Sequence, residues 1–175
     1  MVGNPKQLLS VNLPASWTLY TRRGSLLGLS GDVEKAKSKM SVVDYSSLPT
    51  RIITGMPFLY QQISSKSPLN ILIAATSSRN SGMATIDMDG RIDWMVVKPS
   101  SLLAWVGPTL SVRPRISRSS SSPSLGALKL TGRGQAAIVG NGQILQIDIA
   151  ENDSYIIHPK YEHERYINKY IRNME

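Results

Sequence analysis

Cysteine is absent from this 175-residue sequence, which excludes disulfide staples, thiolate zinc sites and thiol nucleophiles together. Histidine is nearly absent. The two present, His158 and His163, lie five residues apart, which fits neither the i, i+4 pair of a helical zinc site nor the i, i+2 pair of a strand site. No apolar run approaches the roughly 20 residues that a membrane helix needs. The amino-terminal Met1-Val2-Gly3-Asn4-Pro5 lacks the apolar core of a signal peptide, so no organelle address is expected in it. No Gly-x-Ser-x-Gly elbow appears, and the serines cluster in loop-like stretches. With so few groups that can be placed and tuned for chemistry, the expectation is a protein that is not an enzyme and uses no cofactor or metal.

What is present is a basic, hydrophobic chain. Hydrophobic residues make up 41%, enough for a real core, and the formal net charge is +8. The charge is unevenly placed, because residues 91–135 hold seven basic groups and one acidic group. A local basic surface attracts phosphate-rich partners such as anionic lipid or nucleic acid.

Short alternating segments separated by Gly, Pro and Ser predict an all-β fold. Leu9, Val11 and Leu13 alternate with Ser10 and Asn12, and Ile92, Trp94 and Val96 with Asp93 and Met95. Leu145, Ile147 and Ile149 alternate in the same way. Period-two spacing puts each apolar set on one face of a strand. The near-continuous run Asn70–Ala75 reads instead as a central strand. Asp89-Gly90 and Asn141-Gly142 are type I′ turn signals and predict hairpins. Gly132-Arg133-Gly134 reads as hairpin glycines, since no Lys-Ser/Thr or helix follows to make a phosphate loop. Gly31–Lys39 is either a short helix with Asp32 near its cap or a charged loop.

The sequence also resembles itself. Gln7–Leu13 matches Gln143–Ile149 at a constant offset of 136, and Arg22–Gly31 matches Lys98–Gly107 at an offset of 76. In the second pair a basic residue, a turn and Ser-Leu-Leu recur. A third copy starts at Ile156-Ile157-His158-Pro159 and then diverges into Tyr161-Glu162-His163-Glu164. Together these patterns predict a sandwich or barrel of two packed sheets, built from repeated strand units. The single β domain spans residues 1–161, with a serine-rich flexible loop at about 116–124. Residues 162–175 are expected to form a short helical tail, because Tyr166, Ile167, Tyr170 and Ile171 recur at helical spacing.

Three segments carry a family resemblance: Leu-Tyr-Thr-Arg-Arg-Gly-Ser-Leu-Leu-Gly (19–28), Ser-Ser-Leu-Leu-Ala-Trp (100–105) and Leu-Thr-Gly-Arg-Gly-Gln-Ala-Ala-Ile-Val-Gly-Asn-Gly (130–142). Through them the chain resembles the fungal branch of the altered inheritance of mitochondria 24 family over about residues 7–160. The resemblance implies a β-fold similar to the tryptophan RNA-binding attenuator protein superfamily. It implies residence at the mitochondrial inner membrane, and association with integrity of the contact-site and cristae organising complex. The family normally has an amino-terminal presequence, whereas this chain begins almost at its first strand.

The candidate contact residues are cationic. Arg113, Arg115 and Arg118 fall near the serine-rich loop, and Arg22 and Arg23 sit at a strand end. Their guanidinium groups are expected to meet an anionic surface, with cardiolipin-like phospholipid the preferred ligand. RNA is the alternative, and would want aromatic platforms beside the cations. There is one phenylalanine, Phe58, and Trp17, Trp94 and Trp105 fall at positions that read as core. Asp87, Asp89 and Asp93 are spaced for a surface hairpin and lack an EF-hand run. Gly55–Tyr60 reads as core more than as an exposed contact. The expected function is thus a peripheral inner-membrane protein whose partners are cristae-organising subunits, with self-association through open strand edges also in view.

Overall fold

The computed structural model describes residues 8–42, 59–75, 81–115, 127–142, 144–148 and 167–170. Nearly all of these are strand, in three antiparallel sheets. The first is β1 (Leu8–Leu13), β6 (Leu69–Ala74) and β3 (Leu26–Gly31), with β6 central. The largest runs β4 (Ala36–Val42), β5 (Leu59–Ser65), β2 (Thr18–Arg22), β9 (Leu102–Val106), β12 (Arg133–Asn141) and β7 (Ser81–Asp89). The third is β10 (Ser111–Arg115), β11 (Ala127–Thr131), β8 (Asp93–Val96) and β13 (Ile167–Tyr170). The all-β sandwich is as the alternation predicts, but with three sheets where two were expected. None of the three closes into a barrel.

Packing follows from which strands are apolar on one face and which on both. Leu9, Leu13, Leu69, Ile71 and Ile73 of the first sheet meet Leu19, Ile63, Leu103, Val106 and Val139 of the six-stranded sheet in one core. On its other face Trp105, Leu102, Ala136 and Ile138 meet Val96, Val112, Leu128 and Leu130 of the third sheet. Strand β9 lies between the two cores, so Leu-Leu-Ala-Trp-Val is buried at every position. A bulge makes this possible. Ala137 pairs with Ala104 and Ile138 with Leu102, which leaves Leu103 as the extra residue. Leu102 and Trp105 then face one core while Leu103, Ala104 and Val106 face the other.

Several turns differ from their sequence reading. Asp89-Gly90 does turn the chain: Gly90 has φ +84° and the Arg91 amide donates to the Asp89 carboxylate at 2.9 Å. It is not a hairpin, however, because β7 and β8 belong to different sheets. Gly132 and Gly134 likewise sit where the chain crosses from the third sheet to the six-stranded one. Gly132 has φ +96°, and a Cβ there would overlap the Thr109 carbonyl oxygen. Gly132→Ala is therefore expected to cost on the order of 1–3 kcal/mol or more, read as a lowered thermal midpoint. Asn141-Gly142 bends the chain but opens no hairpin, since Ile144–Asp148 is outside every sheet. Leu145 and Ile147, expected on a packed face, are 73% and 50% exposed.

At Gly31–Lys39 the short-helix alternative holds for its first turn, a 3-10 helix at Val33–Lys35 with Asp32 at the N-cap, and β4 follows directly. A hydrogen bond from Lys35 is the main cause holding the exposed Asp32 carboxyl below its ordinary pKa. The tail also differs. Ile167–Tyr170 is strand β13, antiparallel to β8, and not helix. The sequence Ile-Asn-Lys-Tyr alternates as well as it repeats at helical spacing, and the β8 edge supplies the hydrogen bonds that decide between them. The serine-rich loop, His158, His163 and Gly55–Phe58 lie outside the described residues.

Candidate functional site

Strand β10, Ser-Val-Arg-Pro-Arg, forms one edge of the third sheet. An edge tolerates Pro114, which has no N–H to give. Alternation turns Val112 inward onto the core, with Pro114 beside Leu128 and Val96, and leaves Arg113 and Arg115 exposed on the outer face. Two residues apart on one strand, the arginines stand about 7 Å apart along the backbone. The register extends the face inward: Arg113 is opposite Lys129, and Lys129 is opposite Met95. Arg115 Nη1 lies 3.8 Å from the Met95 sulfur. Lys129 Nζ is 2.8 Å from the Asp93 carboxylate, so its charge is matched locally. The outer face thus carries Arg113 and Arg115 beside a lysine–aspartate pair, and guanidinium groups suit phosphate oxygens. Sequence reading did not single out Lys129. Its signal was there, as the one polar residue between Leu128 and Leu130 on an alternating strand.

The other predicted cations lie elsewhere. Arg23 is exposed in the turn from β2 to β3. Arg22 is half-buried and structural: its Nη2 donates to the carbonyls of Ser100 and, at 3.1 Å, Leu102. Burial is the main cause lowering its pKa, opposed by Tyr60. The same turn is tied by Ser25, whose buried hydroxyl donates to the Arg22 carbonyl at 2.7 Å and contacts the Thr21 hydroxyl at 2.7 Å. Replacing Arg22 with alanine removes this donor from the exposed Ser100 carbonyl and the part-buried Leu102 carbonyl. The expected loss is about 1–3 kcal/mol in chemical denaturation, with binding to anionic surfaces little changed. Arg118 lies outside the described residues.

A groove of about 880 Å³ opens between β1 and the β7–β12 end of the six-stranded sheet. Val11, Trp17, Asp87, Asp89, Arg133 and Gln135 are among its lining. Trp17, expected in the core, is 38% exposed here because it precedes β2 and lies in the turn at the groove's mouth. The groove's polar groups hold one another. Gln135 Nε2 donates to Asp87 at 2.6 Å, and Arg133 Nε donates to the Asp89 carbonyl at 3.0 Å. Asp93 is in the third sheet with Lys129, apart from the other two aspartates. Among the described residues no three His, Asp or Glu gather as metal ligands.

Comparison with known proteins adds the lineage. A family profile described as mitochondrial biogenesis AIM24 matches residues 1–161. A Talaromyces marneffei protein named "Altered inheritance of mitochondria protein 24, mitochondrial" is 45% identical over 159 residues, covering 91% of this chain and 38% of that protein. A Yarrowia lipolytica protein of the same name is 40% identical over 162 residues, covering 90% of this chain and 50% of its own length. The chain therefore spans half or less of the length of these relatives. Among solved structures, a Streptococcus pyogenes protein superposes with a TM-score of 0.60 at 12% identity, covering 81% of this chain and 63% of that one. That likeness shows a shared fold.

Proposed function

The chain belongs to the mitochondrial biogenesis AIM24 family, and on that footing we propose that it is a non-enzymatic mitochondrial protein lying peripherally on the inner membrane. There it supports assembly or integrity of the contact-site and cristae organising complex. The observation that carries this reading is the outer face of the third sheet, where Arg113 and Arg115 are exposed beside the Lys129–Asp93 pair. Such a face binds the phosphates of anionic phospholipid without base-reading groups. Aromatic placement favours lipid over RNA. Trp94 packs against the second core and Trp105 is buried in it, so neither offers a stacking platform beside the arginines.

The test is a cross-linked pull-down of the tagged protein from mitochondria, with and without nuclease, read by mass spectrometry. Nuclease-resistant recovery of cristae-organising subunits is the expected result. Recovery of RNA-binding proteins that disappears on nuclease treatment would replace this reading with an RNA-binding one.

A further inference from the structure

The offset of 76 that lays Arg22–Gly31 on Lys98–Gly107 does not stop at Gly107. Carried on without a gap, it lays Ala36-Lys37-Ser38-Lys39 on Val112-Arg113-Pro114-Arg115. Lys37 and Lys39 thus fall on the positions of Arg113 and Arg115. The structure keeps the correspondence. Ser25 N and Oγ both donate to the Arg22 carbonyl, and Ser101 N and Oγ both donate to the Lys98 carbonyl. The strands that follow shift register at matching places, between Leu26 and Gly28 on β3 and between Leu102 and Ala104 on β9. Strands β4 and β10 come next, and each pairs antiparallel with its successor, Lys37 opposite Ser64 and Arg113 opposite Lys129. Ala36 packs against the first core, and Val112 is buried in the second.

Register also fixes the side on which the lysines stand. Lys39 is opposite Gln62, Gln62 is opposite Tyr20, and Tyr20 is opposite Trp105. Residues directly opposite share a face, as do residues two apart on a strand. Lys37 and Lys39 therefore lie on the Trp105 face of the six-stranded sheet, which is the face that the third sheet covers. At β4 that cover has ended, because both lysines are exposed. Neither forms an ion pair among the described residues. Arg113 and Arg115 are on the outer face of the third sheet, so both pairs point to the same side of the stack. Their levels differ by one sheet spacing, about 10 Å. That step is close to the Debye length of about 8 Å at physiological salt, so one anionic surface acts on both. The opposite side of the stack is the outer face of the first sheet. There Ser10, Asn12, Ser30, Asn70 and Leu72 are exposed, and none is charged.

We propose that Lys37 and Lys39 are the second half of the membrane contact, so that an anionic bilayer holds the chain at two corresponding strands, β4 and β10. This rests on the reading of Arg113 and Arg115 as a contact for anionic phospholipid. Contacts at two levels on different sheets set a tilt that one pair leaves free, and they turn the uncharged face of the first sheet away from the lipid. Two cations near an anionic bilayer together strengthen binding about thirtyfold.

The test is co-sedimentation of the whole chain with cardiolipin-containing vesicles, read as partition coefficients. K37Q/K39Q should bind about thirtyfold more weakly than the wild type, and K37R/K39R should bind like it. N12E/S30E lowers the net charge equally but on the far side, and should bind within about threefold of the wild type. The altered side chains are all exposed, so the melting midpoint should not move. Equal weakening of K37Q/K39Q and N12E/S30E would overturn the proposal, because net charge would then set the affinity. Unchanged binding of K37Q/K39Q beside lost binding of R113E/R115E would overturn it and leave the arginine contact standing. The same result with new self-association would make the lysines a guard on the β4 edge instead. Lost binding of K37Q/K39Q beside unchanged binding of R113E/R115E would remove the arginine contact and with it the two-part surface.

Discussion

Replacing Trp105 with alanine is expected to lower the melting midpoint by roughly 10 °C, corresponding to about 3–5 kcal/mol. Its position explains the size. Trp105 is 4% exposed at the middle of β9, between β2 and β12. Its ring stacks on Tyr20 with centroids 5.0 Å apart and 7° between planes, and meets Tyr60 edge-on at 4.7 Å. Truncation removes both aromatic contacts and leaves a cavity that strands fixed on either side cannot collapse into. Trp105→Phe keeps a ring against Tyr60 and should fall between the two. Thermal and urea denaturation of the three proteins measures this. A midpoint within a degree or two of wild type for Trp105→Ala would mean that β9 is not the keystone of the two cores.

Reversing the charge at both Arg113 and Arg115 should leave stability unchanged and remove most membrane binding. Both side chains are exposed on an edge strand, where substitutions ordinarily shift stability by no more than about 0.5 kcal/mol. Each basic residue near an anionic bilayer contributes about 1 kcal/mol, so losing two weakens binding by at least about thirtyfold, before the repulsion of two new carboxylates. The R113E/R115E protein should therefore stay at the bottom of a flotation gradient with cardiolipin-containing vesicles. R113K/R115K should still float, because a bilayer phosphate layer reads charge more than fork geometry. Raising salt toward 1 M should release the wild type as the Debye length shrinks to about 3 Å. Undiminished flotation of R113E/R115E would place the membrane contact elsewhere.

How much of this was legible beforehand depended on whether a feature is local. The alternation of Leu9, Val11 and Leu13, and the unbroken apolar run around Ile71–Ile73, announce an outer and a central strand, and β1 and β6 are those. Sheet membership is not local, and it is where the reading failed. Asp89-Gly90 looks the same in a hairpin as in a crossing between sheets, and only pairing partners tell them apart. The strand β13 was read as helix because Tyr166, Ile167, Tyr170 and Ile171 satisfy helical spacing, while the open edge of β8 that recruits it is invisible in sequence. At the candidate site, Arg113 and Arg115 could be read from charge alone. The engagement of Arg22 could not, since its carbonyl partners Ser100 and Leu102 lie some 80 residues away along the chain.

The proposed function stands or falls on whether the outer face of the third sheet binds anionic phospholipid. The most direct measurement is flotation of the wild-type protein with cardiolipin-containing vesicles and with pure phosphatidylcholine vesicles, each with and without a large excess of single-stranded RNA. The protein is expected to rise only with the cardiolipin vesicles, and RNA should not displace it. Equal behaviour with both lipids, or complete displacement by RNA, would contradict the proposed function.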